Sequence, residues 1–100
     1  MKVCRGVRGA VPVVSNTETD ILAATDKLLG ELINRNGILA DDIASAIFTT
    51  SPDLNAEYPA IAARKLGWSN VALLCGHEMS VPHGMKNCLR TLKKTVKWKL

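Results

Sequence analysis

With 100 residues, the chain can form one small domain and is too short for a two-domain enzyme. It contains no apolar run near the roughly 18 residues of a membrane-spanning helix, so we expect no membrane partner. Hydrophobic residues make up 47% of the sequence, and a domain of this size buries only about two-thirds of its unfolded surface. The composition therefore favours an oligomer, in which apolar surface lies between subunits.

The formal net charge of +4 is concentrated near the C-terminal end of the sequence. Residues 86–99 contain no acidic residue and six basic ones: Lys86, Arg90, Lys93, Lys94, Lys97 and Lys99. The rest of the chain has seven basic and nine acidic residues, so the basic balance describes this segment and not the domain. Nucleic-acid surfaces usually interleave aromatic residues with cations, and only Trp98 does so here. We therefore expect no nucleic-acid partner.

The three cysteines form no paired spacing, and no signal peptide precedes them. An odd number of cysteines without such a signal is typical of a reduced protein. We therefore expect a cytoplasmic location.

Strands and helices are predicted to alternate along the chain. Residues 1–14 show the two-residue periodicity of a strand, which Pro12 closes. A helix is predicted to follow, with Asn16 or Thr17 as its cap, Asp20 completing a capping box, and residues 36–37 ending it.

Residues 43–50 predict a buried second strand, and a short helix follows with Pro59 in its first turn and Gly67 as its left-handed end. Residues 70–75 predict a third strand before a loop at 76–84. This order implies an α/β sandwich with a partly parallel sheet. Beyond residue 84 the apolar positions fit both a helix and a strand, and periodicity leaves the two open.

The segment LLCGHEMSVPHGMKNCLR, residues 73–90, concentrates side chains that are capable of chemistry. Zinc ligands usually occur as close pairs such as C-x-x-C or H-x-x-x-H, and no such pair occurs here, so we expect no metal. Cys75 and His77 would share one face of a strand, but no third group is evident to orient them as a nucleophile and base. Cys75 and Cys88 fit small buried apolar residues.

Arginines from four parts of the chain suggest an anion site. Arg8 and Arg90 lie in otherwise apolar segments, and Arg5 and Arg64 come from two further regions. An internal ion pair between an arginine and Glu78 is one interpretation. A pocket for a ligand with more than one negative charge is the other.

An ordered series of motifs carries a family resemblance. RGVRGA, NT…IL, FTTSPDLNAEYPAIAARKLGW, LLCGHEM and NCLR follow one another over residues 1 to about 92. This order resembles the AroH-class chorismate mutases, the small trimeric α/β type. The resemblance implies a mixed sheet with two helices packed on it, a pseudo-α/β-barrel trimer, pockets between subunits, and an extended segment at 87–97.

The resemblance also implies an activity. Chorismate mutases isomerise chorismate, a dicarboxylate, to prephenate by an intramolecular Claisen rearrangement in phenylalanine and tyrosine synthesis. That reaction uses no cofactor, transfers no proton and forms no covalent enzyme intermediate, in agreement with the missing nucleophile–base pair. The alternative is a catalytically weak trimeric module that binds a dicarboxylate on the same scaffold.

Residue by residue, the resemblance implies the following roles. Arg90 would donate to the ether oxygen, on which negative charge grows in the transition state. Arg8 would bind a substrate carboxylate, and Glu78 with Cys75 would receive the ring hydroxyl. Arg64 would lie over the pocket mouth, and no role matches Arg5. The lining positions would be Tyr58, Ala60, Leu73 and Leu74.

Three departures from the family pattern have expected consequences. Ile61 stands where some relatives have lysine, which removes a cation near the pocket. His77 stands where glutamine is common, and its protonation would add a charge beside Glu78. The single domain at residues 1–100 lacks the family's last strand, with its pocket tyrosine, and a Leu-Arg-Pro-Asp tail. We expect weaker substrate binding from that loss.

Overall fold

Four strands and two helices make up the fold, as seen in a computed structural model that describes the backbone of residues 2–98 and the side chains of residues 5–91. A short 3-10 helix, Ala40–Asp42, precedes the second strand. The strands are β1 (Lys2–Pro12), β2 (Ile43–Thr50), β3 (Ala72–His77) and β4 (Cys88–Trp98). The helices are α1 (Glu18–Asn36) and α2 (Ala60–Lys65).

The strands form one mixed sheet in the order β1–β4–β2–β3. β4 is antiparallel to both of its neighbours, and β2 is parallel to β3. The parallel pair needs a crossover connection, which the segment containing α2 provides. The predicted α/β fold with a mixed sheet and two helices is confirmed.

One face of the sheet is buried beneath the helices. α1 buries an apolar stripe that includes Ile21, Leu29 and Leu32, and Phe48 of β2 is fully buried beneath it. A Cβ added at Gly9 would lie 3.0 Å from the Leu28 Cδ1 atom, so the glycine allows α1 to approach β1 closely. The helices therefore cover only one face, and the opposite face is free to form a site.

The helix ends follow the predicted local chemistry. The Thr17 hydroxyl accepts a hydrogen bond from the backbone N–H of Asp20 at 3.2 Å, as expected of an N-cap. The Asp20 carboxylate accepts from the Ser15 hydroxyl and does not close the capping box on residue 17. Gly37 has φ 60° and Gly67 has φ 93°, which confirms both as left-handed ends. Within residues 2–98, no helix is both long and apolar enough to cross a membrane.

The last segment is a strand, as the family resemblance implies, because its backbone pairs with β1 on one side and β2 on the other. The helix alternative for this segment is wrong. The third strand begins two residues later than predicted and extends through Gly76 and His77, which were expected in a loop. Most of the lysine-rich surface considered above falls on residues 92–100, whose side chains lie outside the described part of the chain.

Candidate active site

Side chains alternate between the two faces of the sheet, so the residues opposite the helices form a second, open face. Arg90 of β4 lies between Ala10 of β1 and Thr49 of β2 in the strand register. These residues border a hollow of about 730 Å³, which we call the charged hollow. Its described lining residues are Arg8, Gly9, Ala10, Ile47, Thr49, Glu78, Arg90 and Thr91.

Glu78 occupies the end of this hollow next to the parallel strand pair. Its backbone N–H donates to the Thr50 carbonyl at 2.8 Å, which continues the pairing of β2 and β3 by one residue. Its carboxylate Oε1 atom lies 3.4 Å from Arg90 Nη1 and accepts from the Thr49 hydroxyl at 3.2 Å. The internal Arg–Glu pair considered from the sequence is therefore present.

The ion pair between Arg90 and Glu78 is too exposed to contribute much to the stability of the fold. The side chains of Arg90 and Glu78 are 51% and 42% exposed, and ion pairs at such sites contribute about 0–1 kcal/mol. Arginine carries five N–H donors, so the contact with Glu78 leaves others for a ligand. Among the described residues lining the charged hollow, Arg8 and Arg90 are the cations and Glu78 is the only acid. The hollow therefore suits an anion.

A second hollow of about 360 Å³ lies at the outer end of β3, and we call it the edge hollow. Its described lining residues are Thr50, Leu54, Asn55, Ala56, Glu57, Tyr58, Pro59, Cys75, Gly76 and His77. Burial raises the pKa of the Cys75 thiol, and a backbone hydrogen bond with Ala60 opposes that rise. The thiol therefore stays protonated at neutral pH, which makes it a poor nucleophile.

No described residue lines both the charged hollow and the edge hollow. The structure brings together Arg8, Glu78 and Arg90, and it places Tyr58 and Cys75 elsewhere. Cys75 lies opposite Phe48 in the register and packs against the core on the helix-covered side, so within one chain it does not face Arg90.

His77 lies on the Cys75 side of the sheet. Its Nδ1 atom is 2.9 Å from the Thr50 hydroxyl, and both residues line the edge hollow. Because Glu78 follows His77 in an extended chain, the two side chains point to opposite faces. The expectation that protonated His77 places its charge beside Glu78 is therefore wrong within one chain.

The four remaining predicted residues line neither hollow. The Arg64 guanidinium donates to the carbonyls of Trp68 and Val71 in the turn after α2. Ala60 and Leu73 are half-buried and pack against the core. Leu74 is 62% exposed and lies opposite Ile47, so it continues the open face towards the sheet edge.

The segment between β3 and β4 is tied to the turn after β2. The Asp53 carboxylate accepts from the backbone N–H of Asn87 at 3.0 Å, and the Ser51 hydroxyl accepts from that of Cys88 at 3.0 Å. Hydrogen bonds from the Ser51 side chain and the Asn87 backbone lower the pKa of Asp53, and the charge of Lys86 contributes. This anchor fixes the chain immediately before Arg90.

A family model described as chorismate mutase type I matches residues 4–98. The chain belongs to the chorismate mutase type I family. The chorismate mutase AroH of Bacillus subtilis is 40% identical over 89 residues, which cover 88% of this chain and 70% of that protein. The AroH protein of Thermus thermophilus is 39% identical, with 88% and 73% covered. A solved chorismate mutase from Clostridium thermocellum has a TM-score of 0.87 and 46% identity, over 89% of this chain and 80% of that one.

Two polar residues that contact the charged hollow and the edge hollow of this chorismate mutase were not predicted from the sequence. Thr49 contacts Glu78, and Asn16 holds the loop before Tyr58 through three hydrogen bonds to residues 55 and 56. The alternation of β2 placed Thr49 on the face opposite Phe48, which is the only sequence signal that could have indicated it. Asn16 acts on residues about 40 positions away, so no local pattern indicates it.

Proposed function

We propose that the charged hollow holds chorismate while it rearranges to prephenate. Membership of the family makes the chain a chorismate mutase, which is an isomerase. The observation that carries the assignment of the site is the convergence on one open hollow of Arg8 from β1, Arg90 from β4 and Glu78 from the residue after β3.

The proposed chemistry uses position and charge. In the rearrangement a C–O bond breaks and a C–C bond forms within one molecule, so atoms and electrons balance without a cofactor or a metal. Holding the two reacting ends together contributes by proximity. Negative charge grows on the ether oxygen, and the Arg90 guanidinium stabilises that charge more in the transition state than in the ground state. Arg8 binds a carboxylate, and Glu78 accepts the ring hydroxyl.

The second part of the proposal is a homotrimer with its sites between subunits. Tyr58 and Cys75 line a different hollow from Glu78 and Arg90, and Cys75 packs on the helix-covered side of the sheet, so the two sets share no hollow within one chain. β3 lies at one edge of the sheet, and its residue Leu74 is exposed. A neighbour that presents its edge hollow to the charged hollow would unite the two sets and cover this apolar surface. Arg64, Ala60 and Leu73 would approach the site from the same neighbour.

The location proposed for the enzyme is the cytoplasm, where it would serve phenylalanine and tyrosine synthesis. Cys75 and Cys88 are free thiols, which persist in a reducing compartment.

The activity is tested by following chorismate consumption with and without a chelator. We expect turnover that the chelator does not change, and binding of a dicarboxylate transition-state mimic without turnover would contradict the assignment. Light scattering should give three times the chain mass of 10.8 kDa. A stable, active monomer would contradict the shared site.

Complementation tests whether the two hollows meet across subunits. Arg90→Ala disables the charged hollow, and Tyr58→Asp places a negative charge in the edge hollow, where the 69% exposed side chain tolerates substitution. Refolding the two variants together in equal amounts should leave about one quarter of the shared sites intact, as random assortment predicts. Activity no higher than the mean of the parents, from an active wild-type trimer, would place the whole site in one subunit.

A further inference from the structure

Three elements of the sheet meet at one oxygen atom of Glu78. Its Oε1 atom accepts from the Thr49 hydroxyl of β2 at 3.2 Å and faces the Arg90 guanidinium of β4 at 3.4 Å. Thr49 and Arg90 lie directly opposite each other in the register, and Gly76 of β3 lies on the other side of Thr49. The hydroxyl is therefore held on a strand that is paired on both sides.

The three side chains differ in how firmly the fold holds them. Threonine is branched at Cβ, which restricts its χ1 angle on a strand. Glu78 has a fixed backbone, but its side chain is 42% exposed and loses rotamer freedom whenever it is ordered. The ion pair with Arg90 is similarly exposed and is weak in water. Thr49 and Arg90 both orient the Glu78 carboxylate, and the hydrogen bond from the Thr49 hydroxyl is the more rigid of these two contacts.

We propose that Thr49 is a positioning residue that fixes the Glu78 carboxylate relative to Arg90. Both contacts from described residues end on Oε1, so Oε2 is left to accept a hydroxyl from the ligand. Holding Oε1 also keeps the Arg90 guanidinium at a set distance, with its remaining N–H donors available for the ether oxygen. The inference rests on the function proposed above and assigns a role to a residue outside the predicted set.

The test compares Thr49→Val, which keeps the β-branch and removes the hydroxyl, with Thr49→Ser, which keeps the hydroxyl. Each is made alone and together with Glu78→Ala. Ser45→Ala is the matched control, because Ser45 lies on the same strand and the same face but does not line the charged hollow. Steady-state kinetics with chorismate and thermal unfolding are measured for every variant.

We expect Thr49→Val to lower kcat/KM about tenfold, the scale of one hydrogen bond to a charged group. Thr49→Ser should stay within about threefold of the wild type, and the control should be unchanged. In the Glu78→Ala background, Thr49→Val should change kcat/KM by less than about twofold, since two residues that act as a unit are not additive. A merely structural role would give the same loss in both backgrounds.

The proposal is overturned if Thr49→Val is as active as the wild type, or if its loss persists without Glu78. If Thr49→Val does not fold, Thr49→Ala removes the same hydroxyl and is judged by the same two criteria. A wild-type protein without mutase activity would instead overturn the proposed function. An active wild type with an indifferent Thr49 would overturn only this inference.

Discussion

The charged hollow and the edge hollow differ in how the fold supports their side chains. The charged hollow takes its polar groups from β1, β2 and β4 and from the residue after β3, all within one paired sheet. Most of the edge hollow is formed by the turn-rich segment 50–59, with the end of β3 as its second wall. A sheet holds charges at set distances, which electrostatic stabilisation of a transition state requires. A loop is suited to contacts that shape and cover a ligand.

The means of fixing the two hollows also differ. In the charged hollow, Thr49 and Arg90 hold Glu78 through contacts between neighbouring strands. In the edge hollow, the loop depends on Asn16, whose Oδ1 atom accepts from the backbone N–H groups of Asn55 and Ala56 at 2.9 and 3.0 Å. Substitutions of Arg90 or of the groups that hold it against Glu78 should therefore affect kcat, and those in the edge hollow should affect KM.

The largest effect is expected from a substitution that removes the charge of Arg90 in the charged hollow but keeps the shape of its side chain. Arg90→citrulline keeps the planar form and several donors but removes the charge. We expect kcat to fall on the order of 10²–10³ or more, the effect of removing one preorganised oxyanion donor. Affinity should change far less, because the ether oxygen is nearly neutral before reaction. Single-turnover and steady-state kinetics on semisynthetic protein measure both.

Arg35→citrulline is the matched control for that experiment. Arg35 pairs with Glu31 at 3.6 Å on the exposed surface of α1, away from both hollows, so its loss should leave kcat unchanged. A near-native kcat with a raised KM in Arg90→citrulline would mean that Arg90 only binds the substrate. The charged hollow and the edge hollow would then both act only in substrate binding.

An intermediate effect is expected when the loop of the edge hollow loses its hydrogen bonds to Asn16. Asn16→Ala removes three hydrogen bonds, including the 2.8 Å bond to the Asn55 side chain. Because Asn16 is exposed, we expect a loss of about 1–2 kcal/mol in the free energy of unfolding, measured with urea. KM should rise severalfold as the Tyr58 loop loosens, while kcat stays within about twofold of the wild type.

Asn34→Ala on the exposed surface of α1 is the control for the cost of losing an asparagine. It should leave KM unchanged. A fall in kcat rather than a rise in KM for Asn16→Ala would contradict the assignment of the edge hollow to binding.

The smallest effect concerns the Cys75 thiol. Burial raises its pKa above the ordinary value for a thiol, so the proton is held at neutral pH and the reactive thiolate forms only at higher pH. Alkylation by iodoacetamide at pH 7 should therefore be several times slower than that of a free cysteine and should accelerate above pH 9. Peptide mass spectrometry resolves Cys75 from the other two cysteines. Rapid alkylation at pH 7 would show a thiolate and reopen nucleophilic chemistry in the edge hollow.

Local sequence chemistry correctly predicted the Thr17 cap, the glycine that ends each helix and most of the strands, but not the capping box at Asp20. The Thr17 cap and the left-handed Gly37 and Gly67 depend on the backbone within a few residues, so their side chains indicate them directly. Residues 88–98 were ambiguous because their apolar spacing fits two periods. Only pairing with β1 and β2, which are distant in sequence, makes them a strand. The resemblance to the family supplied that choice.

By itself, the sequence determined the fold class and the family, and it predicted Arg8, Glu78 and Arg90 as site residues. The tertiary structure decided which predicted residues share a site, because strand alternation and strand order place Cys75 on the other face from Glu78. It also revealed Thr49 and Asn16, whose partners lie 29 and about 40 positions away. Such contacts depend on the register of distant strands and loops, which no local pattern of residues specifies.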